Sequence, residues 1–248
     1  MLLATLLPSL LGVAVLAAIT VGVLTVVRTP HRSAPTLAIL RGALQLAVIS
    51  LVLAGVIRDP LWVGAALLVM FGVAVSTATR RIGWSAQHLA VMAGAMGCGI
   101  LVTLVVVFGT GAIAFTARYA LAIGGIVVGN AMSIATLAGR RFTESVTDSW
   151  EQVEGWLALG ATPRESTRTL ARSAVYSALI PSTDQTRTTG LVTLPGAFVG
   201  AIFGGVSPLD AGRFQIVVLA AIMAAGSITA ALVVAALAPV RVRPGALD

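Results

Sequence analysis

Four sulfur-containing side chains of the sequence could act as ligands for a metal ion: Met92, Met96, Cys98 and Met132. Met92 and Met96 are one helical turn apart, so they share a face if the segment around them is helical, and Cys98 follows closely. Thioether and thiolate sulfur suits soft ions such as copper. Methionine and cysteine in apolar helices are more often packing residues, so the pattern by itself assigns no metal.

Two amides lie in otherwise apolar stretches and could line a route for a polar solute. They are Gln45 and Asn130. A buried amide in lipid must find a hydrogen-bond partner or face a hydrated path, and hydrogen bonding between helices is the alternative to a pathway role. Met132, close to Asn130, would add a sulfur to the same candidate route.

A proline followed by three glycines marks a further candidate stretch of the pathway. Pro195 has no N–H and would leave the carbonyl of Leu191 without its helical donor, so a helix through this position should bend or break. Gly196, Gly200 and Gly204 recur every fourth residue, which would let another helix approach closely. The pattern predicts either a kinked packing helix or a helix at the pathway or the dimer axis.

The elements that position these residues are predicted to be membrane spans. The chain is 58% hydrophobic and 10% charged, with a mean hydropathy of +1.00, which is typical of a protein whose solvent is lipid. Several stretches could cross about 30 Å of hydrocarbon as helices: Ser9–Val27, Leu37–Ile57, Leu61–Thr79, His88–Phe108, Tyr119–Ala138, Thr189–Val206 and Phe214–Ala238. We therefore expect an all-α, polytopic transmembrane bundle of about seven spans, forming one domain over residues 1–248.

The arginines predict the orientation of the bundle. All 16 basic residues are arginine. If residues 142–185 are cytoplasmic, three arginines fall outside, Arg58, Arg118 and Arg213, and the other 13 of the 16 fall inside. The positive-inside rule then predicts a multi-pass protein of the inner (plasma) membrane with its N-terminus outside and its C-terminus in the cytoplasm. Topology and the attraction of arginine to anionic membrane lipid account for the net positive charge, so no nucleic-acid partner is expected.

One long polar interval, residues 142–185, interrupts the apolar sequence. An apolar stripe and an acidic stripe recur in it at helical spacing, which predicts an amphipathic helix. The apolar stripe is Phe142, Val146, Trp150, Val153 and Leu157, and the acidic stripe is Glu144, Asp148, Glu151 and Glu154. A helix pair lying on lipid headgroups is one interpretation, but anionic lipid would repel the acidic stripe.

A tight corner follows that helix. Gly160 can end it in the left-handed conformation, and Thr162, Pro163 and Glu165 have the order of a capping box with proline at the first helical position. The second helix is expected to end near Ile180, before Pro181, with Arg164, Arg168 and Arg172 on one face. Asp184 and Arg187 could form an ion pair that stiffens the joint to the sixth span, or a solvated pair that contributes little.

Several short motifs occur in an order that resembles a known family. Residues 154–162 are similar to the cytoplasmic helix-turn-helix of ABC-transporter permeases, although Gly155 and Trp156 stand where two small residues are usual. The runs at 41–46, 129–132, 180–185, 189–196, 207–209 and 214–217 resemble the FetB family of iron-export permeases, which is related to plant aluminium-tolerance permeases. Ala201 stands where a polar amide would be expected.

This resemblance implies a non-catalytic membrane subunit of an ABC exporter that moves iron or another small solute out of the cytoplasm. It implies a homodimer that pairs with two copies of an ATP-binding subunit, which would hold ATP and Mg²⁺, with no cofactor in this chain. The absence of lysine agrees with a separate ATP-binding subunit, because the Walker A loop that binds ATP requires a lysine. Contact with the ATPase is expected from Trp150, Glu151, Glu154, Leu157, Gly160, Ala161, Thr162, Pro163, Glu165 and Arg168.

The expected pathway residues are Gln45, Asn130, Met132, Asp184, Pro195, Gly196 and Gly200. Three other functions stay open: an ion-gradient-driven secondary transporter or channel, an ABC exporter of an organic or lipid-like solute, and a membrane scaffold. Proton coupling would need an acid within the membrane, and every Asp and Glu lies outside the predicted apolar centres.

Overall fold

The computed structural model describes the backbone of residues 2–56 and 59–245 and the side chains of residues 7–50 and 59–245. Over these ranges the chain forms ten helices and no β-strand, which confirms the all-α prediction. The helices are α1 Leu2–Val26, α2 Ala34–Val56, α3 Pro60–Ile82, α4 Ala86–Gly109, α5 Ala117–Asp148, α6 Trp150–Ala158, α7 Pro163–Ser166, α8 Arg168–Thr188, α9 Gly196–Phe203 and α10 Pro208–Leu237.

The prediction of a polytopic membrane bundle is confirmed. Five helical segments are long and apolar enough to cross a membrane: Leu7–Val26, Pro60–Ile82, Ala86–Gly109, Ala117–Asp148 and Pro208–Leu237. Helix α2 adds the shorter apolar segment Ala34–Ser50. Ile57, the predicted end of the second span, and Arg58 lie outside the described residues.

The chain divides into two compact units, Met1–Ile57 and Arg58–Asp248. In the first unit α1 packs against α2, and Ala17 is buried at their contact face. Gln45, one of the amides expected to line the pathway, is exposed on α2.

In the second unit, α5 and α10 are the central helices. Helix α5 packs against α3, α4, α8 and α10, and α10 also packs against α4, α8 and α9. Glycines allow the closest approaches: a Cβ at Gly99 of α4 would lie 2.6 Å from the carbonyl oxygen of Ala225 of α10. The tightly packed helices form one buried core across α3, α4, α5 and α10 and a second across α5, α8 and α10.

Helices α5 and α10 run in the same direction. At one end of the unit the rings of Tyr119 and Phe214 lie 5.5 Å apart, and at the other end Arg243, beyond α10, donates a 3.3 Å hydrogen bond to the carbonyl of Thr147. This second end also carries Arg80 and Arg81, and we call it the Arg-rich end.

The structure corrects the predicted start of the amphipathic helix. Phe142 and Val146 belong to the long span helix α5, which continues past Arg140 and Arg141 and ends at Asp148. Charged residues do not interrupt a helix whose opposite face stays buried, and here Phe142 and Val146 pack in the core that α5 shares with α8 and α10. Only residues 150–158 form the separate helix α6.

The predicted second helix and sixth span are also corrected. The second helix is interrupted at Thr167, between α7 and α8, and α8 then continues through Pro181 to Thr188. The stretch predicted as the span Thr189–Val206 instead contains a turn with positive φ at Gly190, followed by the eight-residue helix α9. Eight residues extend only about 12 Å, which is too short to cross a membrane as a helix.

Candidate functional site

The first candidate site is the corner between α6 and α7. Gly160 has a φ of 90°, its N–H donates to the carbonyl of Leu157 at 3.0 Å, and the N–H of Ala161 donates to the carbonyl of Trp156 at 3.0 Å. These two bonds form a Schellman motif, which satisfies the last carbonyls of a helix. The prediction that Gly160 ends the helix in the left-handed conformation is confirmed.

The capping box that follows is confirmed as well. The Thr162 N–H donates to Glu165 Oε2 at 2.8 Å, and the Glu165 N–H donates to Thr162 Oγ1 at 3.4 Å. The Thr162 hydroxyl itself donates to the same carboxylate at 2.7 Å, and Pro163 occupies the first helical position. The corner is therefore held by reciprocal bonds that depend on a few adjacent residues.

The corner lowers the pKa of its carboxylate. The side-chain hydrogen bond from Thr162 lowers the pKa of Glu165 most, and the bond from the Thr162 backbone N–H lowers it next. Desolvation opposes these two effects, and the positive charge of Arg168 lowers the pKa further but less than desolvation raises it. Each of these groups favours the ionised form. The carboxylate of Glu165 therefore stays ionised and accepts the hydrogen bonds that complete the capping box.

The base of this helix-turn-helix is joined to the bundle at the Arg-rich end. The buried Thr167 hydroxyl lies 2.8 Å from the carbonyl oxygen of Ala238, to which it can donate. Val153 of α6 is fully buried, and Trp150 packs against the core shared by α5, α8 and α10. We call residues 150–167 the projection.

The outer surface of the projection exposes two apolar side chains that the predicted apolar stripe does not include. Trp156 is 52% exposed and Leu159 is 82% exposed. They border a groove of about 550 Å³. Its other lining residues are Gln152, Gly160, Ala161, Glu165, Ser166, Arg168, Thr169 and Leu170. Trp156 and Leu159 do not lie on the predicted apolar stripe. When the stripe packs against the bundle, these two side chains therefore remain exposed, and their spacing could have indicated this.

The residues expected to contact an ATPase divide between this outer surface and the base. Trp150 and Leu157 are half-buried, so the apolar stripe faces the bundle. The other residues of the set are exposed or half-buried around the corner: Glu151, Glu154, Gly160, Ala161, Thr162, Pro163, Glu165 and Arg168. The structure therefore brings most of the set together on one projecting element.

The second candidate site is the outward side of α8. Helix α8 starts beside the end of α10, where Thr167 meets Ala238, and runs antiparallel to α10. Halfway along α10, a Cβ at Gly226 would lie 3.6 Å from Cδ2 of Leu179 and would also meet Ile134 of α5. The later residues of α8 therefore lie alongside the spans, and the prediction that the interval up to residue 185 forms one projection away from them is corrected.

Polar side chains occupy the outward side of α8 at this depth. The polar stripe consists of Arg172, Tyr176, Asp184 and Arg187, all exposed, and the apolar Ile180, 40% exposed, lies among them on the same face. Asp184 and Arg187 lie 3.7 Å apart, with side chains 61% and 76% exposed. Asp184 follows Leu179 by about 7.5 Å along the helix. A charged side chain at the centre of a bilayer costs roughly 2.5 to 3.5 kcal/mol in insertion measurements, so lipid is a poor neighbour for this stripe.

The structure does not gather the other expected pathway residues around the stripe. Asn130 is half-buried and donates its amide to the carbonyl of Ile126 on its own helix at 2.8 Å, and Met132 packs against the core of the spans. Pro195 precedes the first residue of α9. Gly196 and Gly200 have no atom within 4 Å of the position where a Cβ would project.

The sulfur side chains do not form a common site. Met92 and Met96 are fully buried in the core, whereas Cys98 is exposed on a different face of α4. Among the described residues no group of three His, Cys, Asp or Glu side chains could hold a metal ion. Two buried polar atoms of the spans that the analysis did not single out, Thr103 Oγ1 and Gln215 Oε1, have no hydrogen-bond partner among the described residues.

Comparison with known proteins assigns the chain to a family. The model described as "Uncharacterised protein family (UPF0014)" matches residues 7–240. The chain belongs to the UPF0014 family. The matched range of this UPF0014 protein takes in both the projection and α8.

Among its UPF0014 relatives is the membrane protein STAR2 of rice, which is 36% identical over 79% of this chain and 69% of the relative. The protein ALUMINUM SENSITIVE 3 of Arabidopsis thaliana is 36% identical over 76% of this chain and 70% of the relative. A protein named "Probable iron export permease protein FetB" of Escherichia coli is 36% identical over 54% of this chain and 51% of the relative. The family resemblance found in the sequence is confirmed, and no solved structure matches this UPF0014 chain.

Proposed function

We propose that the chain is the membrane subunit of an ABC exporter, driven by ATP hydrolysis on a separate subunit that binds ATP and Mg²⁺. The chain is a membrane protein of a family with a relative named as an iron export permease. It contains no lysine, so a Walker A loop of its own is excluded. The energy source would therefore be a partner protein.

The observation that carries this proposal is the form of the projection. It ends in a corner fixed by a Schellman motif and a capping box, and it exposes Trp156 and Leu159 beside a groove. Exposed aromatic and apolar side chains next to a concave surface are typical of a protein interface. A rigid element of this kind can receive a push from a partner without deforming.

The connections at the base of the projection suggest how motion would pass into the membrane. A displaced projection acts directly on α8, whose first residues follow it, and on the end of α10 through Thr167 and Ala238. Two copies of the chain and two ATP-binding subunits would make the complete transporter. The projection would lie in the cytoplasm with the C-terminus, and the N-terminus outside the inner (plasma) membrane.

We propose iron or another small solute as the cargo, moved out of the cytoplasm. The Escherichia coli relative is named as an iron export permease, which supports iron as the cargo and export as the direction. Candidate pathway residues are Gln45, Asn130, Met132, Asp184, Pro195, Gly196 and Gly200. Among them Asp184 is the one whose charge lies exposed alongside the spans.

A secondary transporter driven by an ion gradient is the second candidate, and one observation favours it. Every acid lies outside the apolar centres of the predicted spans, but α8 places Asp184 alongside the spans, where an acid can couple transport to protons. The two candidates differ in energy source. Transport by liposomes that contain this chain alone and a proton gradient would support the second candidate.

Co-purification tests the ABC proposal. The full-length chain would be expressed with the ABC ATPase encoded nearest to it and isolated through a tag on the chain. We expect the ATPase to be retained by the wild type and lost with Leu159→Asp, which places a charge on the exposed tip. Val242→Asp is the matched control, because Val242 is 77% exposed beyond α10 and outside the projection. Equal retention by all three proteins would contradict the docking role of the projection.

A further inference from the structure

An exposed apolar face of α3 leads to an arginine and a tryptophan. Val69 and Val73 are 67% and 58% exposed, as expected of side chains on a surface that meets the membrane. Arg80 follows Val73 by seven residues, or about two helical turns, so it lies on the same face. Just beyond the helix, Trp84 is 60% exposed. The guanidinium carbon of Arg80 lies 5.6 Å from the centre of its ring, within the range of a cation–π contact.

The length of α3 places this pair at a boundary of the membrane. Trp62 is 62% exposed in the first turn of the helix. From Trp62 to Ile82, the last residue of α3, the helix rises about 30 Å, which is about the thickness of the hydrocarbon core of a bilayer. Tryptophans are enriched at both boundaries of that core. Trp62 and Trp84 therefore mark its two sides, and Trp84 marks the side of the Arg-rich end.

The positive charge at this end of α3 has no carboxylate partner among the described residues. Arg80 and Arg81 are both exposed, and the three ion pairs of the described chain involve other arginines. Arg140 adds a charge at a similar depth, because Ile82 packs against Gly139 of α5, and it forms no ion pair in the described chain either. An anionic group is therefore the ligand that this surface fits.

We propose that the end of α3 is a binding site for an anionic phospholipid of the leaflet at the Arg-rich end. Arg80 and Arg81 hold the phosphate, Trp84 packs against the glycerol region, and the acyl chains lie along the exposed face of α3. A guanidinium can stack on an aromatic ring and still donate hydrogen bonds to phosphate oxygens. The proposed orientation makes this the cytoplasmic leaflet, but the site depends neither on the cargo nor on the energy source.

Charge and apolar surface together distinguish this ligand from two others. A zwitterionic phospholipid carries a cationic group beside its phosphate, and the arginines without a carboxylate partner repel that group. Free inorganic phosphate has the negative charge but no apolar part, so it gains nothing from Val69 and Val73. An anionic phospholipid matches both the arginines and the apolar face.

Native mass spectrometry of the full-length chain in detergent tests the proposal. The chain is titrated with phosphatidylglycerol or with phosphatidylcholine of the same acyl chains. We expect the wild type to bind phosphatidylglycerol more tightly, and Arg80→Gln to weaken that binding about fivefold, as for the loss of one arginine at a charged lipid surface. Trp84→Ala should weaken it as well. Arg118→Gln is the matched control, because Arg118 is also exposed and outside the three ion pairs but lies at the opposite end of the unit, in the first turn of α5.

Each outcome supports or overturns the site. Equal weakening by Arg80→Gln and Arg118→Gln, or unchanged binding by Trp84→Ala, would mean that charge alone attracts the lipid, and would overturn it. Equal binding of phosphatidylcholine would overturn the anionic headgroup as the ligand. Displacement of the lipid by millimolar inorganic phosphate would overturn the role of the apolar face.

A conservative variant covers the case in which Arg80→Gln fails to fold. Arg80→Lys keeps the charge but lacks the planar group that stacks on Trp84, so it should also bind phosphatidylglycerol more weakly than the wild type, and wild-type binding would contradict the proposal. The measurement contains no ATPase and no cargo. A negative result would therefore overturn this inference and leave the ABC proposal in place.

Discussion

Thr167 and Ala238 are joined by a hydrogen bond of 2.8 Å from the threonine hydroxyl to the alanine carbonyl oxygen. Thr167 is fully buried and Ala238 is 7% exposed. The bond connects the last residue of the projection to the end of α10, a helix that packs against α4, α5, α8 and α9. Among the described residues, it is the side-chain hydrogen bond that joins the projection to the end of α10.

Replacement of Thr167 by valine should weaken that connection. Valine has a similar shape but cannot donate. The Ala238 carbonyl keeps the hydrogen bond from the N–H of Val240 at 2.8 Å, so the substitution removes one of two bonds, which costs about 0.5 to 1.5 kcal/mol. We expect a lower unfolding temperature in detergent and weaker stimulation of the ATPase. Thr25→Val is the control, because Thr25 is exposed on α1 and belongs neither to the projection nor to its groove. Equal effects of the two substitutions would contradict the role given to this bond.

Two glycines of the projection should respond to alanine in opposite ways. Gly160 has a φ of 90°, and a left-handed conformation costs an alanine roughly 1 to 2 kcal/mol. Gly155 lies inside α6 with open space around it, so alanine should stabilise the helix by about 0.5 to 1 kcal/mol. Thermal unfolding of Gly160→Ala and Gly155→Ala measures both. A stabilising effect of Gly160→Ala would show that the corner does not hold the observed conformation.

The stability of the corner should depend on acid pH through Glu165. Its pKa is lowered in the fold, first by the Thr162 hydroxyl. The ionised form therefore stabilises the folded state fully above the ordinary pKa of glutamic acid. This contribution is lost as the pH falls through the lowered pKa. As the pH falls across that range, the unfolding temperature of Glu165→Gln should decrease less steeply than that of the wild type, because glutamine can accept the same hydrogen bonds but does not titrate. An identical pH dependence of the two proteins would contradict the prediction.

The contact between α4 and α10 should not tolerate a side chain at Gly99. A Cβ there would lie 2.6 Å from the backbone oxygen of Ala225 and 2.6 Å from Thr229 Oγ1, and backbone atoms cannot move aside. Overpacking of this kind costs about 1 to 3 kcal/mol, so Gly99→Ala should lower the unfolding temperature. Gly94→Ala, on the same helix with nothing within 4 Å, should not. Similar unfolding temperatures would mean that the two helices are farther apart.

The corner was predictable from the sequence because its signals are local. Gly160, Thr162, Pro163 and Glu165 determine the turn through bonds between near neighbours, so no knowledge of distant residues was needed. The apolar spans were predictable for a similar reason, since length and hydropathy decide whether a helix can cross lipid.

The position of α8 was not predictable in this way. Its buried side consists of small residues, Ala174, Ala178 and Ser182, which pack closely against α5 and α10 but add little to hydropathy. The polar residues on its outward side made the whole segment resemble a cytoplasmic one. Pro181 predicted the end of the helix, but packing against α5 and α10 lets the helix continue past it. Asp184 was therefore placed at a joint beside the membrane, whereas α8 carries it alongside the spans.

The most direct test of the central claim is the rate of ATP hydrolysis by the partner ATPase in liposomes. We predict that the wild-type chain stimulates hydrolysis over the ATPase alone, that Trp156→Ala removes the stimulation because Trp156 lies exposed at the tip of the projection, and that Val242→Ala keeps it. The same rate of hydrolysis with and without the wild-type chain would contradict the claim that this membrane protein is driven through its projection.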